Sequence, residues 1–99
     1  MLTANAVIRF TLENKNYSVK PLRVAFNFGP GLLLTGEINS ECAEYAYNET
    51  YGVNIDFFTV EDEAYTALKK VLKPEMGVTM QAGSRILGIA ELSNFTYEG

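Results

Sequence analysis

The residues that could do chemistry in this 99-residue chain are few, and they do not combine into a catalytic set. The chain has no histidine, which excludes imidazole acid–base chemistry and the common zinc-ligand sets. Its one cysteine, Cys42, lies between Glu41 and Glu44, whose charges disfavour a thiolate nucleophile. The chain has no G-x-x-x-x-G-K-[ST] phosphate loop. The sequence therefore predicts no enzyme, no metal site and no cofactor.

Acidic residues form one run, at positions 61–63. A metal site there would need convergent oxygen ligands from elsewhere in the chain, whereas acidic residues at the start of a helix interact favourably with the helix dipole. Apolar residues repeat at helical spacing after the run, Thr59 can cap the helix, and Pro74 would end it. The basic residues Lys69, Lys70 and Lys73 suit its negative end. We predict one helix over about residues 60–72.

Three tyrosines, Tyr45, Tyr47 and Tyr51, are the first candidates for a binding surface. Exposed tyrosines on a strand can contact a protein partner or stack on nucleic-acid bases. Alternating tyrosines are also ordinary strand formers that pack on neighbouring strands. Both interpretations remain open from the sequence.

Most of the chain alternates apolar and polar residues with the two-residue period of half-buried strands. The predicted strands cover residues 6–12, 17–20, 23–28, 32–38, 43–47 and 53–58, and a hairpin follows over residues 77–92. Gly83 supplies the backbone freedom that the hairpin turn needs. In the second hairpin strand, residues 85–92, apolar residues occupy odd- and even-numbered positions alike. This pattern predicts that neighbouring layers cover both faces of the strand.

The hairpin residues from Gly77 to Ala90, GVTMQAGSRILGIA, resemble the last hairpin of the C-terminal barrel domain of translation elongation factor Tu. Three upstream segments are similar to further strands of that family: Ala6 to Phe10, Phe26 to Phe28, and Leu34 to Ile38. The resemblance covers most of the chain and implies a small β-barrel. The predicted helix has no counterpart in that family.

The same resemblance implies a contact with RNA. In that family the final hairpin turn, which corresponds to Gly83 here, helps to hold the T-stem of aminoacyl-tRNA. The basic residues Lys15, Arg23 and Arg85 would have to converge around Gly83 to form such a patch. Alternatively, they are solvated charges on strand faces, each of little energetic weight.

Net charge and cysteine content limit the partners and the compartment. A formal net charge of -4 argues against binding a polyanion by bulk charge. A single cysteine cannot form an internal disulfide, which favours a reducing compartment. The chain shows no signal-peptide pattern and no apolar run near the ~18 residues of a membrane span. We expect a cytoplasmic location and no membrane partner.

Together these patterns predict one domain over residues 1–99. Its fold class is all-β: a small closed antiparallel barrel of about six strands, with one helix inserted before the last hairpin. A small β-sandwich is the alternative. The side chains expected to fill the barrel are Phe26, Phe28, Ile55 and Phe57. We expect a non-enzymatic module that binds a protein partner or self-associates; the alternatives are a tRNA- or RNA-binding module and a small-molecule carrier.

Overall fold

The computed structural model describes residues 1–11, 17–18, 22–30, 32–40 and 44–98. The elements are β1 (Leu2–Phe10), β2 (Tyr17–Ser18), β3 (Leu22–Asn27), β4 (Leu33–Asn39), β5 (Glu44–Tyr45), β6 (Thr50–Phe57), α1 (Asp62–Leu68), β7 (Glu75–Ala82) and β8 (Arg85–Tyr97). Lys15 and Cys42, both singled out in the sequence, lie outside the described residues.

Six strands close into an antiparallel barrel in the order β1-β6-β4-β3-β7-β8. The barrel closes at β1, where Ala6 lies opposite Val53 of β6 on one side and opposite Leu92 of β8 on the other. The short strands β2 and β5 form a separate two-stranded ribbon, with Tyr17 opposite Tyr45. The predicted closed barrel is confirmed, and the β-sandwich alternative is excluded.

The barrel interior is filled by the apolar residues that alternate along the strands. Phe57, the last residue of β6, is fully buried and makes edge-to-face contacts with Phe26 and Phe28, at ring-centroid distances of 5.3 and 5.6 Å. The largest side chains that are fully buried are Tyr45, Phe10, Phe26, Phe57, Leu2, Ile8, Ile55, Leu68, Met80, Leu92 and Val60. The predicted inward positions of β3 and β6 are therefore confirmed.

Two glycines occupy places where atoms of neighbouring strands leave no room for a side chain. A Cβ atom at Gly36 would lie 2.7 Å from side-chain carbons of both Phe26 and Ile55. A Cβ atom at Gly88 would overlap the carbonyl oxygen of Arg9 and lie 2.8 Å from the Cα of Phe10. Real Cβ atoms do not approach backbone so closely, so glycine is required for β8 to pair with β1 at this point.

Helix α1 is shorter than the predicted span of residues 60–72. Val60 is buried in the core and belongs to the turn after β6, where its N–H donates to the carbonyl of Phe57. Glu61 therefore becomes the N-cap with an extended backbone, and no side chain caps the helix, so the predicted role of Thr59 is wrong. After Leu68, which is buried with the barrel core, the chain continues in turns. No helix in the described part of the chain is long and apolar enough to cross a membrane.

Candidate interaction surface

The three candidate tyrosines do not share an exposed face. Tyr45 is only 2% exposed, and its ring packs against Phe10 and, edge to face, against Tyr51. The Tyr45 hydroxyl lies 2.6 Å from the Ser40 hydroxyl. The Tyr51 hydroxyl accepts a 2.8 Å hydrogen bond from the N–H of Ala46. Tyr45 is thus part of the core and the partly buried Tyr51 packs against it, so the two rings do not form an exposed binding face.

Tyr47 is 42% exposed, although it lies two residues after Tyr45 and a regular strand would place both side chains on the same face. Strand β5 ends at Tyr45, and the following residues form a turn in which Asn48 has a left-handed backbone, with φ of 63°. The turn breaks the alternation, so the two side chains have different surroundings. This is a correction to the predicted tyrosine surface: it consists of one exposed ring, not three.

Of the basic residues expected around Gly83, the structure describes Arg23 and Arg85, whereas Lys15 lies outside the described residues, so the three-residue patch stays a prediction. Gly83 forms the hairpin turn with φ of 61°, and Arg85 begins the next strand opposite Ala82. Arg23 pairs with Glu37 of β4 at 3.2 Å, and its guanidinium carbon lies 4.8 Å from the Phe58 ring centroid. A carboxylate thus already balances the charge of Arg23, on the side of β3 that faces β4.

One residue of the acidic run, Asp62, connects helix α1 to strand β8 of the barrel. Oδ1 of Asp62 accepts a hydrogen bond of 2.5 Å from the Tyr97 hydroxyl. This hydrogen bond, reinforced by the negative charge of Asp62, raises the pKa of Tyr97 to about 12. Among the described residues, no three acidic side chains are grouped so that they could hold a metal ion.

Exposed apolar side chains lie on the outside of the barrel where β8 is paired with β1 and β7. Val7 is 51% exposed, Ile86 is 52% exposed, and Ile89 is 38% exposed. We call these three residues the apolar wall. The prediction that other layers cover both faces of residues 85–92 is therefore wrong, because Ile86 and Ile89 on the outer face are exposed.

A β-bulge creates the apolar wall. Ile86 and Ile89 are three residues apart, so a regular strand would place them on opposite faces. The register shifts in this part of β8: Met80 lies opposite Gly88, but Gln81 lies opposite Ile86, which leaves Leu87 as an extra residue. The extra residue returns Ile86 to the outward face, beside Ile89.

An open depression of about 570 Å³ adjoins Ile89 on the outer surface of β3, β7 and β8. Two of its lining residues, Asn27 and Thr79, donate hydrogen bonds of 2.9 and 3.1 Å to the side-chain oxygen of Gln81. Gly77 has no side chain, and the carboxylate of Glu91 lies over it. On this side the apolar wall is therefore bordered by polar groups of β3, β7 and β8.

Sequence reasoning missed the apolar wall. The outward position of Val7 follows from the alternation of β1, but the outward pairing of Ile86 with Ile89 depends on the bulge. The available signal was the excess of apolar residues along β8, which fits a strand that faces a partner as well as a strand covered by its own chain.

The chain was also compared with known proteins. No family model, no curated protein and no solved structure matches it. The resemblance to the barrel of elongation factor Tu therefore stays a prediction from the hairpin residues.

Proposed function

We propose that this protein is a non-enzymatic interaction module that binds a protein surface, either a partner or a second barrel, through the apolar wall. The observation that carries this function is the exposure of Val7, Ile86 and Ile89 on paired strands of a rigid barrel. Apolar side chains exposed together, with a polar border, are typical of protein contact sites.

Two features support a role in binding rather than in catalysis. The chain has no histidine for acid–base work, and the largest buried side chains occupy the barrel interior, where a carrier would hold its ligand. Arg23, one of the cations that an RNA contact would use, is paired with Glu37, and the net charge of -4 opposes a polyanion. A protein partner fits these properties better than RNA or a small molecule does.

We further propose that the module works in the cytoplasm and is a divergent relative of the C-terminal barrel of elongation factor Tu. The single cysteine supports a reducing compartment. The sequence of the last hairpin supports the relationship, and a closed antiparallel barrel is compatible with it.

Site-specific photocrosslinking in the cells that carry the gene tests the binding function. A benzophenone amino acid at Ile86 should give a defined protein adduct, and the additional change Ile89→Asp should abolish it. The matched control is the same crosslinker at Glu63, an exposed position on α1, which should give no defined adduct. Equal labelling from both positions, or none from either, would exclude the apolar wall as a binding surface.

A further inference from the structure

Four outward residues of β1 and β8 form a compact pattern around the apolar wall. Val7 lies opposite Glu91, and two residues further along β1, Arg9 lies opposite Ile89. Neighbouring strands are about 4.8 Å apart and alternate residues about 7 Å apart, so the four positions form a small rectangle. The two charged residues occupy one diagonal and the two apolar residues the other.

We propose that the occupant of the apolar wall is a second copy of this chain, which docks about a two-fold axis along the Val7–Ile89 diagonal; this rests on the proposed binding function. With sides of about 4.8 and 7 Å, a half-turn about that axis brings the Arg9 position of each copy to within about 3 Å of the Glu91 position of the other, a gap that these long side chains can span. The same rotation places Val7 on Val7 and Ile89 on Ile89. The pattern is therefore complementary to itself, as an isologous interface requires.

The charges on this side of the barrel favour such a contact. Strands β1, β7 and β8 together contain two basic residues, Arg9 and Arg85, and two acidic residues, Glu75 and Glu91. These strands are neutral, although the chain as a whole carries a net charge of -4. Two copies can therefore meet here without bringing together the acidic run at residues 61–63, which lies elsewhere, at the start of α1.

Arg9 and Glu91 are also free to exchange partners between copies. Within the described residues, the Arg23–Glu37 contact is an ion pair, and neither Arg9 nor Glu91 takes part in one. The guanidinium of Arg9 lies 3.5 Å from the side-chain oxygen of Asn48, at the long limit of a hydrogen bond. Contact between two copies would satisfy both charges and cover Val7 and Ile89 in the same step.

The contact is small, because two apolar side chains, Val7 and Ile89, form its centre. Interfaces that bury less than about 1,200 Å² in total are typical of weak, reversible complexes. We therefore expect a monomer–dimer equilibrium with a dissociation constant on the order of micromolar or weaker.

Charge exchange tests the proposed geometry by analytical ultracentrifugation over the micromolar to millimolar range. Arg9→Glu alone would place two carboxylates together in the interface, and Glu91→Arg alone would place two guanidinium groups together, so each variant should be monomeric. Mixing the two single variants should restore a dimer, because every acidic side chain then faces a basic one. The double variant R9E/E91R should dimerise by itself, and E63R, on α1, should behave like the wild type. Recovery in the mixture also shows that both single variants are folded.

Several results would overturn the second copy as occupant: a wild-type chain that stays monomeric throughout, single variants that dimerise normally, or a mixture that stays monomeric. The crosslinker at Ile86 separates this failure from failure of the binding function. Adducts between two copies support the dimer. Adducts only with another protein overturn the dimer but leave the binding function intact, and no adduct together with a monomeric chain removes both.

Discussion

The hydroxyl of Tyr97, at the end of β8, donates a 2.5 Å hydrogen bond to Oδ1 of Asp62, in the first turn of α1. The ring of Tyr97 also stacks on Tyr65, with 4.0 Å between ring centroids and 4° between ring planes. The helix is thus fastened to the last barrel strand by one polar and one aromatic contact, in addition to the burial of Leu68.

The first prediction concerns the titration of Tyr97. Replacing Asp62 by alanine removes the acceptor and its negative charge, so the pKa of Tyr97 should fall from about 12 toward the ordinary value of 10. NMR of ¹³Cζ-labelled tyrosine, with Tyr97 assigned by Tyr97→Phe, measures the change. Glu63→Gln is the matched control and should leave this pKa in place.

The same shift sets the sign of one pH effect on stability. The folded chain holds the Tyr97 proton more tightly than the unfolded chain, so this contribution is fully present below pH 10 and is lost as the pH rises from 10 to about 12. In Asp62→Ala the fall in denaturation midpoint over this range should be smaller. An equal fall in both proteins would contradict the assignment.

The second prediction concerns the contact between β8 and β1. Gly88→Ala places a methyl group against the backbone of Arg9 and Phe10, which cannot move without disturbing strand pairing. We expect a loss of about 2–3 kcal/mol in the free energy of unfolding. Gly52→Ala is the control, because a Cβ atom there meets nothing within 4 Å, and its effect should lie within about 1 kcal/mol. Urea denaturation measures both, and similar losses would show that the close approach at Gly88 is absent.

The third prediction compares two adjacent phenylalanines at the end of β6. Phe57 is fully buried between Phe26 and Phe28, whereas Phe58 is exposed beneath Arg23. Phe57→Ala should destabilise the fold by about 3–5 kcal/mol, and Phe58→Ala by about 1 kcal/mol or less. Thermal or urea unfolding followed by far-UV circular dichroism distinguishes them. If Phe58→Ala destabilised the fold more than Phe57→Ala does, Phe58 rather than Phe57 would have to face the core.

The fourth prediction concerns the buried tyrosine. Tyr45→Phe keeps the ring but removes the hydroxyl that contacts the Ser40 hydroxyl, so stability should fall by about 1 kcal/mol. Tyr47→Phe changes an exposed hydroxyl and should have almost no effect. Equal effects in urea denaturation would mean that the two tyrosines have similar surroundings.

Local alternation was enough to predict which side chains fill the barrel. Val53, Ile55 and Phe57 point inward because a strand with one buried face needs apolar residues at every second position. The close approaches at Gly36 and Gly88 could also be predicted, because a glycine inside a strand often marks a place where other atoms come close.

The remaining features depend on contacts that leave no local pattern. Val60 and Val71 fit the helical spacing around α1, yet Val60 is buried in the turn before the helix and Val71 is exposed after it. The pairing of Ile86 with Ile89 depends on one extra residue opposite β7. Strand order around the barrel is likewise set by long-range pairing rather than by any single segment.

Closure of the barrel also determines how anything can bind to it. Strands β1 and β8 are hydrogen-bonded to a neighbour on both sides along most of their length, so neither is an open edge to which an extended peptide could add as a further strand. Recognition on these two strands therefore has to rely on side chains. A few substitutions on the outer surface can then change the choice of partner while the main-chain framework stays as it is.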